Sequence, residues 1–208
     1  MAEQWEFDED ITITNVVCTG NVRCNVDLRR ITLLNYNVEF RNSRVTIKLR
    51  KPKVTANIWS NGKIVCFGAP SAMEAQTGLR RVARIVQRAG YDVKLCPMRI
   101  CNVCACYGAP FQIKLSAFAN HYKHLVSYEP EISSAVIYKI LELDLKATLQ
   151  IYATGNIIIL APNIASAEKA AAKIYHMVLD DFRRNLTPEQ KEMRAKKRVL
   201  AQQRRISL

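Results

Sequence analysis

The first half of this 208-residue chain recurs in its second half. Ile13–Cys18 reads ITNVVC and Ile100–Ala105 reads ICNVCA, which puts the asparagines of the two copies 87 residues apart. Asn57–Val65 returns as Gln150–Ile158, with the glycines of those copies 93 residues apart. A period near ninety residues is far longer than a solenoid repeat. The chain is therefore expected to form two similar halves related by an approximate twofold axis, and such a surface suits a partner of the same symmetry, such as duplex DNA.

Composition is typical of a globular protein with an anionic partner. The chain is 49% hydrophobic, has no run long enough to span a membrane, and begins with an acidic stretch rather than a signal peptide, so it is interpreted as intracellular. The net charge of +13 favours nucleic acid as a partner, although it also serves solubility. Residues 183–208 contribute +7 of that charge. A segment of this charge alone would bind polyanions without selectivity.

The cysteines and histidines do not predict a metal site or an active site. Seven cysteines without a secretory signal argue against a disulfide framework. Cys101, Cys104 and Cys106 are closely spaced, but no second Cys-x-x-Cys or His pair completes four zinc ligands, so structural thiols are favoured and no cofactor is predicted. The three histidines lack a matching nucleophile and carboxylate. The sequence therefore does not predict an enzyme.

The same order of elements is predicted in both halves: strand, short helix, four strands, long helix. In the first half the predicted strands are Ile11–Cys18, Asn35–Phe40, Arg44–Arg50, Val54–Trp59 and Ile64–Phe67, and the predicted helices are Asp27–Leu34 and Ser71–Ala89. In the second half the predicted strands are Ile100–Cys106, Val126–Tyr128, Ala135–Leu141, Ala147–Tyr152 and Ile157–Leu160, and the predicted helices are Leu115–His121 and Ile164–Arg183. Asn61-Gly62 indicates a hairpin, and Ser71 with Glu74 has capping-box spacing.

Antiparallel strands backed by helices predict an α+β fold. Ten strands are expected to form one curved antiparallel sheet, with both long helices on its convex face and the opposite face open to a partner. The predicted organisation is a flexible acidic arm at residues 1–10, a first half-repeat at 11–97, a second half-repeat at 98–184 and the basic tail at 185–208.

Several segments together resemble the core domain of the TATA-binding-protein family. They are Asn15-Val16-Val17, Asn37-Val38-Glu39-Phe40, Gly62-Lys63-Ile64-Val65-Cys66, Ala83-Arg84-Ile85-Val86-Gln87, Tyr128-Glu129-Pro130-Glu131 and Val136-Ile137-Tyr138. The resemblance covers about residues 11–184. It implies a pseudo-twofold saddle whose concave face enters the minor groove, where two phenylalanines per half wedge between base steps.

The chain departs from that family at the wedges. One wedge of each half aligns with an aromatic residue, Trp59 or Tyr152, whereas the other falls near Asn42 or at Ser133. Unstacking a base step costs a few kcal/mol, and a polar side chain cannot fill the opened gap. The family's central Thr-Gly pairs are also replaced, by Phe67-Gly68 and Leu160-Ala161. These departures resemble the TBP-related factor 2 branch, which implies failure to bind TATA elements while general transcription factors are still engaged.

The candidate DNA-binding residues are of three kinds: central groove residues, rim aromatics and basic strand-edge residues. They are Asn15, Asn102, Val17 and Cys104 in the centre, Trp59 and Tyr152 at the rim, and Lys48, Arg50 and Lys63 at the edge. Each kind has an alternative. The asparagines are also explained as polar strand residues kept by duplication, the aromatics as caps on the sheet ends, and the basic residues as a solvated face.

Two further groups are candidates for protein contacts. The resemblance implies that the first long helix, with Arg80, Arg81, Arg84 and Arg88, receives the acidic surface of transcription factor IIA; the alternative is a solvated outer band. It also implies that Glu129 and Glu131 engage transcription factor IIB. The alternative there is an ordinary turn shaped by Pro130.

These features predict a nuclear general transcription factor, with a possible cytoplasmic pool and no membrane partner. It is expected to act at promoters that lack a TATA element, with transcription factor IIA as its main partner and only weak, salt-sensitive contact with promoter DNA. One alternative is a scaffold that sequesters transcription factor IIA without contacting DNA. A nucleic-acid repair activity is a third hypothesis, although no base-flipping pocket is recognisable. The basic tail is open to three interpretations: nuclear targeting, DNA contact or a disordered extension.

Overall fold

The computed structural model of the protein describes residues 11–33, 37–179, 182–184 and 192. In this part of the chain ten strands form one antiparallel sheet in the order β2-β3-β4-β5-β1-β6-β11-β10-β9-β8. The strands of the first half are β1 (Thr12–Asn21), β2 (Val38–Arg41), β3 (Arg44–Lys48), β4 (Thr55–Trp59) and β5 (Lys63–Ala69). Those of the second half are β6 (Arg99–Gly108), β8 (Val126–Ser127), β9 (Ala135–Leu141), β10 (Lys146–Tyr152) and β11 (Asn156–Ala161).

Four helices accompany the sheet in the described ranges. They are α1 (Leu28–Leu33), α2 (Ala72–Arg88), α3 (Leu115–His121) and α4 (Ile164–Leu179). The helix α2 packs on β1, β4 and β5, and α4 packs on β6, β10 and β11, so both long helices cover the same side of the sheet. The predicted α+β fold, with a ten-stranded curved sheet, is therefore confirmed. None of these helices is long and apolar enough to cross a bilayer.

Each half has its own core between the sheet and its long helix. In the first half α2 inserts Leu79, Val82 and Val86 against buried strand residues such as Ile58 and Ile64. Burying an aliphatic side chain of this size contributes about 1.5–3 kcal/mol. A second cluster of the same kind joins α3 and α4 to the other half of the sheet. Each core holds its half of the sheet in position, and together the two cores determine the shape of the uncovered face.

The local signals at the first hairpin and at α2 are confirmed. Gly62 has a φ of +78° and donates its N–H to the Trp59 carbonyl over 3.0 Å, which closes the Ser60–Lys63 turn between β4 and β5. Gly155 repeats this conformation, with a φ of +83°, in the turn between β10 and β11. At α2 the Ser71 hydroxyl accepts the Glu74 N–H over 3.2 Å, which satisfies one of the unpaired donors at the helix start.

The chain after α4 differs from the prediction. The predicted helix Ile164–Arg183 was wrong at its end, because α4 stops at Leu179 in the described residues and Arg183–Arg184 form a strand, β12. This strand pairs with β7 (Gln112–Ile113), which was also not predicted. The cause is tertiary: Phe182 is buried against Phe118, and its carbonyl accepts the Lys114 N–H over 2.9 Å. The acidic arm at 1–10, the basic tail at 185–208 and residues 34–36 fall outside the described residues, apart from residue 192.

Candidate nucleic-acid interface

The face of the sheet that the helices leave uncovered is partly exposed and of mixed polarity. Side chains alternate between the two faces of a strand, so burying Val16 and Cys18 against α2 places Asn15, Val17 and Thr19 on the open face. The same alternation in the neighbouring strands adds Thr46, Asn57, Val65, Phe67, Asn102, Cys104, Cys106, Ile137, Thr148, Gln150, Ile158 and Leu160. The four predicted central residues therefore share this concave face.

The side chain of Asn15 is held by the neighbouring strand. Its Oδ1 accepts the N–H of Gly68 over 2.7 Å. Gly68 lies in a bulge of β5, where the register with β1 shifts between Val16 and Cys18, and its φ is +92°. Because a backbone N–H can only donate, this contact fixes the orientation of the amide. The contact holds Oδ1 against β5 and leaves both donors of Nδ2 available to a ligand.

The second half has no counterpart of that bulge. Leu160 pairs with Cys104 and Ala161 with Val103 in unbroken register. In the first half it is Ala69 that pairs with the equivalent position, Val16, so Ala161 corresponds to Ala69 rather than to Gly68. Placing Ala161 at the family's glycine position was therefore wrong. The signal in the sequence was the Ala-Pro dipeptide, which follows Gly68 in the first half and directly follows Leu160 in the second.

The two rim aromatics occupy equivalent sites. Trp59 ends β4 and Tyr152 ends β10, and both side chains are half-buried. The Lys63 Nζ lies 5.9 Å from the centre of the Trp59 ring, so the structure brings these two candidates together. At this distance the negative face of the ring attracts the lysine ammonium group. One end of the groove therefore presents an aromatic surface with a positive charge beside it.

The other two wedge positions carry polar side chains in turns. Asn42 is exposed between β2 and β3 and has a φ of +51°. The hydroxyl of Ser133 accepts the Ala135 N–H over 3.2 Å, just before β9. Neither side chain offers an apolar ring to a base step. The aromatic surface at the concave rim is thus restricted, among the four wedge positions, to Trp59 and Tyr152.

The basic edge residues Lys48 and Arg50 line an open groove of about 380 Å³ at the outer edge of the first half. Glu39 lies in the same groove but is ion-paired with Arg41 at 2.7 Å. Lys48 and Arg50 have no carboxylate partner among the described residues, so both remain available to phosphates.

The second half repeats this edge only in part. Lys139 pairs with Thr148 as Lys48 pairs with Thr55, so Lys139 is the counterpart of Lys48. Lys139 is not among the residues predicted from the sequence, although the repeat itself points to it. Two residues further on, Leu141 stands 80% exposed where the first half has Arg50. The outer edge of the sheet therefore carries more positive charge in the first half than in the second.

The candidate protein-contact residues lie away from the concave face. Arg80, Arg81, Arg84 and Arg88 are exposed on α2, and in the described part of the chain none of them forms an ion pair. Glu129 and Glu131 are exposed in the connection between β8 and β9, where the Glu129 carbonyl accepts the N–H groups of Ile132 and Ser133. The arginine band and the glutamate turn are thus separate surfaces.

The thiols differ in burial. Cys18 and Cys66 are buried, and hydrogen bonding to Cys18 together with burial raises the pKa of Cys66 well above its ordinary value. Cys101 is exposed at a bulge of β6. Within residues 11–33, 37–179 and 182–184, no three His, Cys, Asp or Glu side chains are grouped closely enough to hold a metal ion.

Comparison with known proteins gives consistent matches in sequence and fold. The family model described as transcription factor TFIID, or TATA-binding protein, matches residues 10–89 and 97–180. The TATA box-binding protein-like 1 of Danio rerio is 42% identical over 173 residues, which are 82% of this chain and 92% of that protein. The TATA box-binding protein-like 2 of Rattus norvegicus is 34% identical over 175 residues, 83% of this chain and 50% of that protein.

A solved structure matches the whole fold. The TBP of Methanococcus jannaschii has a TM-score of 0.74 and 26% sequence identity, with 82% of this chain and 98% of that chain covered. The family model matches twice, once in each half, as the internal repeat requires. The chain therefore belongs to the TATA-binding-protein family of transcription factors.

Proposed function

We propose that this protein is a TBP-like factor that acts in RNA polymerase II initiation at promoters without a TATA element. It nucleates or tethers the preinitiation complex in the nucleus, with a further pool in the cytoplasm. The observation that carries the proposal is the composition of the concave face. This face has an asparagine at the equivalent central position of each half, Asn15 and Asn102, and an aromatic residue at each end, Trp59 and Tyr152. The other two wedge positions carry polar residues.

Weak, poorly selective DNA binding follows from that composition. Sharp bending of a duplex requires unstacked base steps, each costing a few kcal/mol, and an inserted apolar side chain offsets that cost. With two aromatic wedges in place of four, about half of the offset is missing. The remaining affinity comes from contacts of the Lys48, Arg50 and Lys63 side chains with the DNA phosphates, and contacts of that kind weaken steeply with salt.

Transcription factor IIA is the main protein partner in this proposal. The exposed arginines of α2 form a positively charged surface on the convex face, which suits an acidic partner surface. Because they lie on the face opposite the groove, DNA and this partner can bind at the same time. The exposed Glu129 and Glu131 offer a separate acidic contact that suits basic residues of transcription factor IIB.

A pull-down with purified transcription factor IIA, with and without DNA, tests the partner. We expect retention of the full chain in both conditions. Arg80→Glu and Arg84→Glu, each made alone and then together, are expected to weaken and then abolish it. Lys169→Glu on the exposed face of α4 is the matched control for each single reversal and is expected to leave it unchanged. Retention that requires DNA, or that survives the double reversal, would contradict this part of the proposal.

A scaffold that sequesters transcription factor IIA without touching DNA is the second candidate. The polar wedge positions and the exposed convex arginines favour it. The two candidates differ in what the rim aromatics do. If the protein acts on promoters, Trp59→Ala and Tyr152→Ala lower promoter occupancy and spare binding of transcription factor IIA. If it acts as a scaffold, these substitutions change neither.

A further inference from the structure

The two central asparagines are equivalent in the repeat but not in their hydrogen bonding. Asn15 has its oxygen engaged by the Gly68 N–H at 2.7 Å. Asn102 is half-buried on the same face, and its side chain has no hydrogen-bond partner among the described residues. The cause is the bulged residue Gly68, which β11 lacks. The pseudo-twofold groove is therefore asymmetric at its centre.

Because Asn15 and Asn102 differ in hydrogen bonding, they can recognise different base pairs in the minor groove. A·T and T·A pairs present only acceptors there, and a G·C pair adds the N2 amino donor of guanine. The Gly68 N–H holds the Asn15 oxygen against β5, so Asn15 presents its Nδ2 donors, which match an A·T pair and oppose the guanine amino group. Asn102 can turn its amide and present either its Nδ2 donors or its Oδ1 acceptor. It can therefore accept a hydrogen bond from a guanine N2.

We propose that the saddle reads its two central base pairs unequally, with Asn15 selecting A·T and Asn102 accepting G·C as well. The inference rests on the proposed function, because it requires the concave face to lie in a minor groove. Since the halves are related by an approximate twofold axis, the protein can sit on a duplex in either direction. A single central G·C pair is then always turned toward Asn102, and only a second one meets Asn15.

Three duplexes that differ only in the central two base pairs test the proposal with the full-length wild-type protein. Relative to a centre of two A·T pairs, one G·C pair is expected to leave the Kd unchanged or slightly lower. A second G·C pair is expected to raise the Kd about tenfold. The Asn15 Nδ2 group then faces a guanine N2 amino group, and these two donors cannot replace the hydrogen bonds to water that they lose on binding. Replacing both guanines by inosine, which lacks the N2 amino group, is expected to abolish that loss.

The possible results separate this inference from the function on which it rests. An equal loss for each G·C pair, or a loss that inosine does not remove, would overturn the asymmetry while leaving minor-groove binding in place. Absence of binding to all duplexes would overturn the proposed function and this inference together. Asn15→Ala is expected to remove the tenfold loss from the second G·C pair, and Asn102→Ala, the matched substitution, is expected to keep it. The inosine series needs no variant, so it is decisive even if a substitution unfolds the chain.

Discussion

Val16 and Val103 face each other across the two central strands, and both side chains are fully buried. They are repeat counterparts, 87 residues apart, so the pair lies on the pseudo-twofold axis. On either side of it Asn15 pairs with Cys104 and Asn102 with Val17, an arrangement that the axis maps onto itself. A slip of one residue in either strand would move the asparagine of that strand to the helix face, so the register of this pair positions the candidate site.

The valine pair predicts a symmetric loss of stability. Val16→Ala and Val103→Ala should each lower the free energy of unfolding by about 2 kcal/mol, because each removes buried methyl groups and leaves a cavity. Since the two side chains are opposed, the double substitution should deviate from the sum of the single ones. Urea unfolding measures all three values. Leu143→Ala is the control, since Leu143 is 102% exposed and its loss should change stability by less than about 0.5 kcal/mol.

The rim aromatics predict a loss of DNA affinity. Trp59→Ala and Tyr152→Ala should each weaken duplex binding roughly tenfold, since an aromatic contact with a base contributes about 1–3 kcal/mol. Fluorescence anisotropy with a labelled duplex measures the Kd. Phe40→Ala is the matched control, because Phe40 is 45% exposed but lies on the edge strand β2. Unchanged affinity in the Trp59 and Tyr152 variants would show that these rings only cap the sheet.

The basic edge predicts a change in salt dependence. Lys48→Gln and Arg50→Gln should each reduce the slope of log K against log salt by about 0.9, as expected for one lost phosphate contact on B-form DNA. Titrations at several salt concentrations give the slope. Lys169→Gln removes the same charge from the exposed face of α4 and should leave the slope unchanged. A slope equally insensitive to all three substitutions would place DNA elsewhere on the protein.

The cysteines are expected to separate by reactivity. At pH 8, an alkylating reagent should label the exposed Cys101 first and leave Cys18 and Cys66 unlabelled until the protein unfolds. The thiolate is the reactive species, and the raised pKa of Cys66 keeps that group protonated in the folded state. Mass spectrometry of timed samples follows each site. Labelling of Cys66 as fast as Cys101 would contradict the packing of α2 over β1 and β5.

The elements that depend on neighbouring residues could be predicted from the sequence. The alternation of β3 and β4, the turn at Gly62 and the cap at Ser71 all depend on neighbouring residues, and all are confirmed. The strand β12 was missed because it depends on one distant contact, the burial of Phe182 under α3. No local pattern at residues 183–184 contains that information.

The candidate site was less predictable than the fold, because its chemistry depends on pairing between strands. The Gly68 bulge that orients Asn15 is a difference of one residue between the halves, and only the register of β5 with β1 reveals its effect. Similarly, the Thr46 hydroxyl donates to Asn57 Oδ1 over 2.8 Å, so Asn57 resembles Asn15 in having its oxygen engaged. The sequence shows these residue types but not which of their atoms remain available.

The most direct test of the account is a titration of the full chain against a TATA duplex and a shuffled duplex of the same composition, both with the same central two base pairs. Affinity and end-to-end distance are measured together by fluorescence energy transfer between dyes at the duplex ends. We expect similar, weak and salt-sensitive affinities, with no sharp bend in either duplex. Tight binding that selects the TATA duplex and bends it sharply would contradict it.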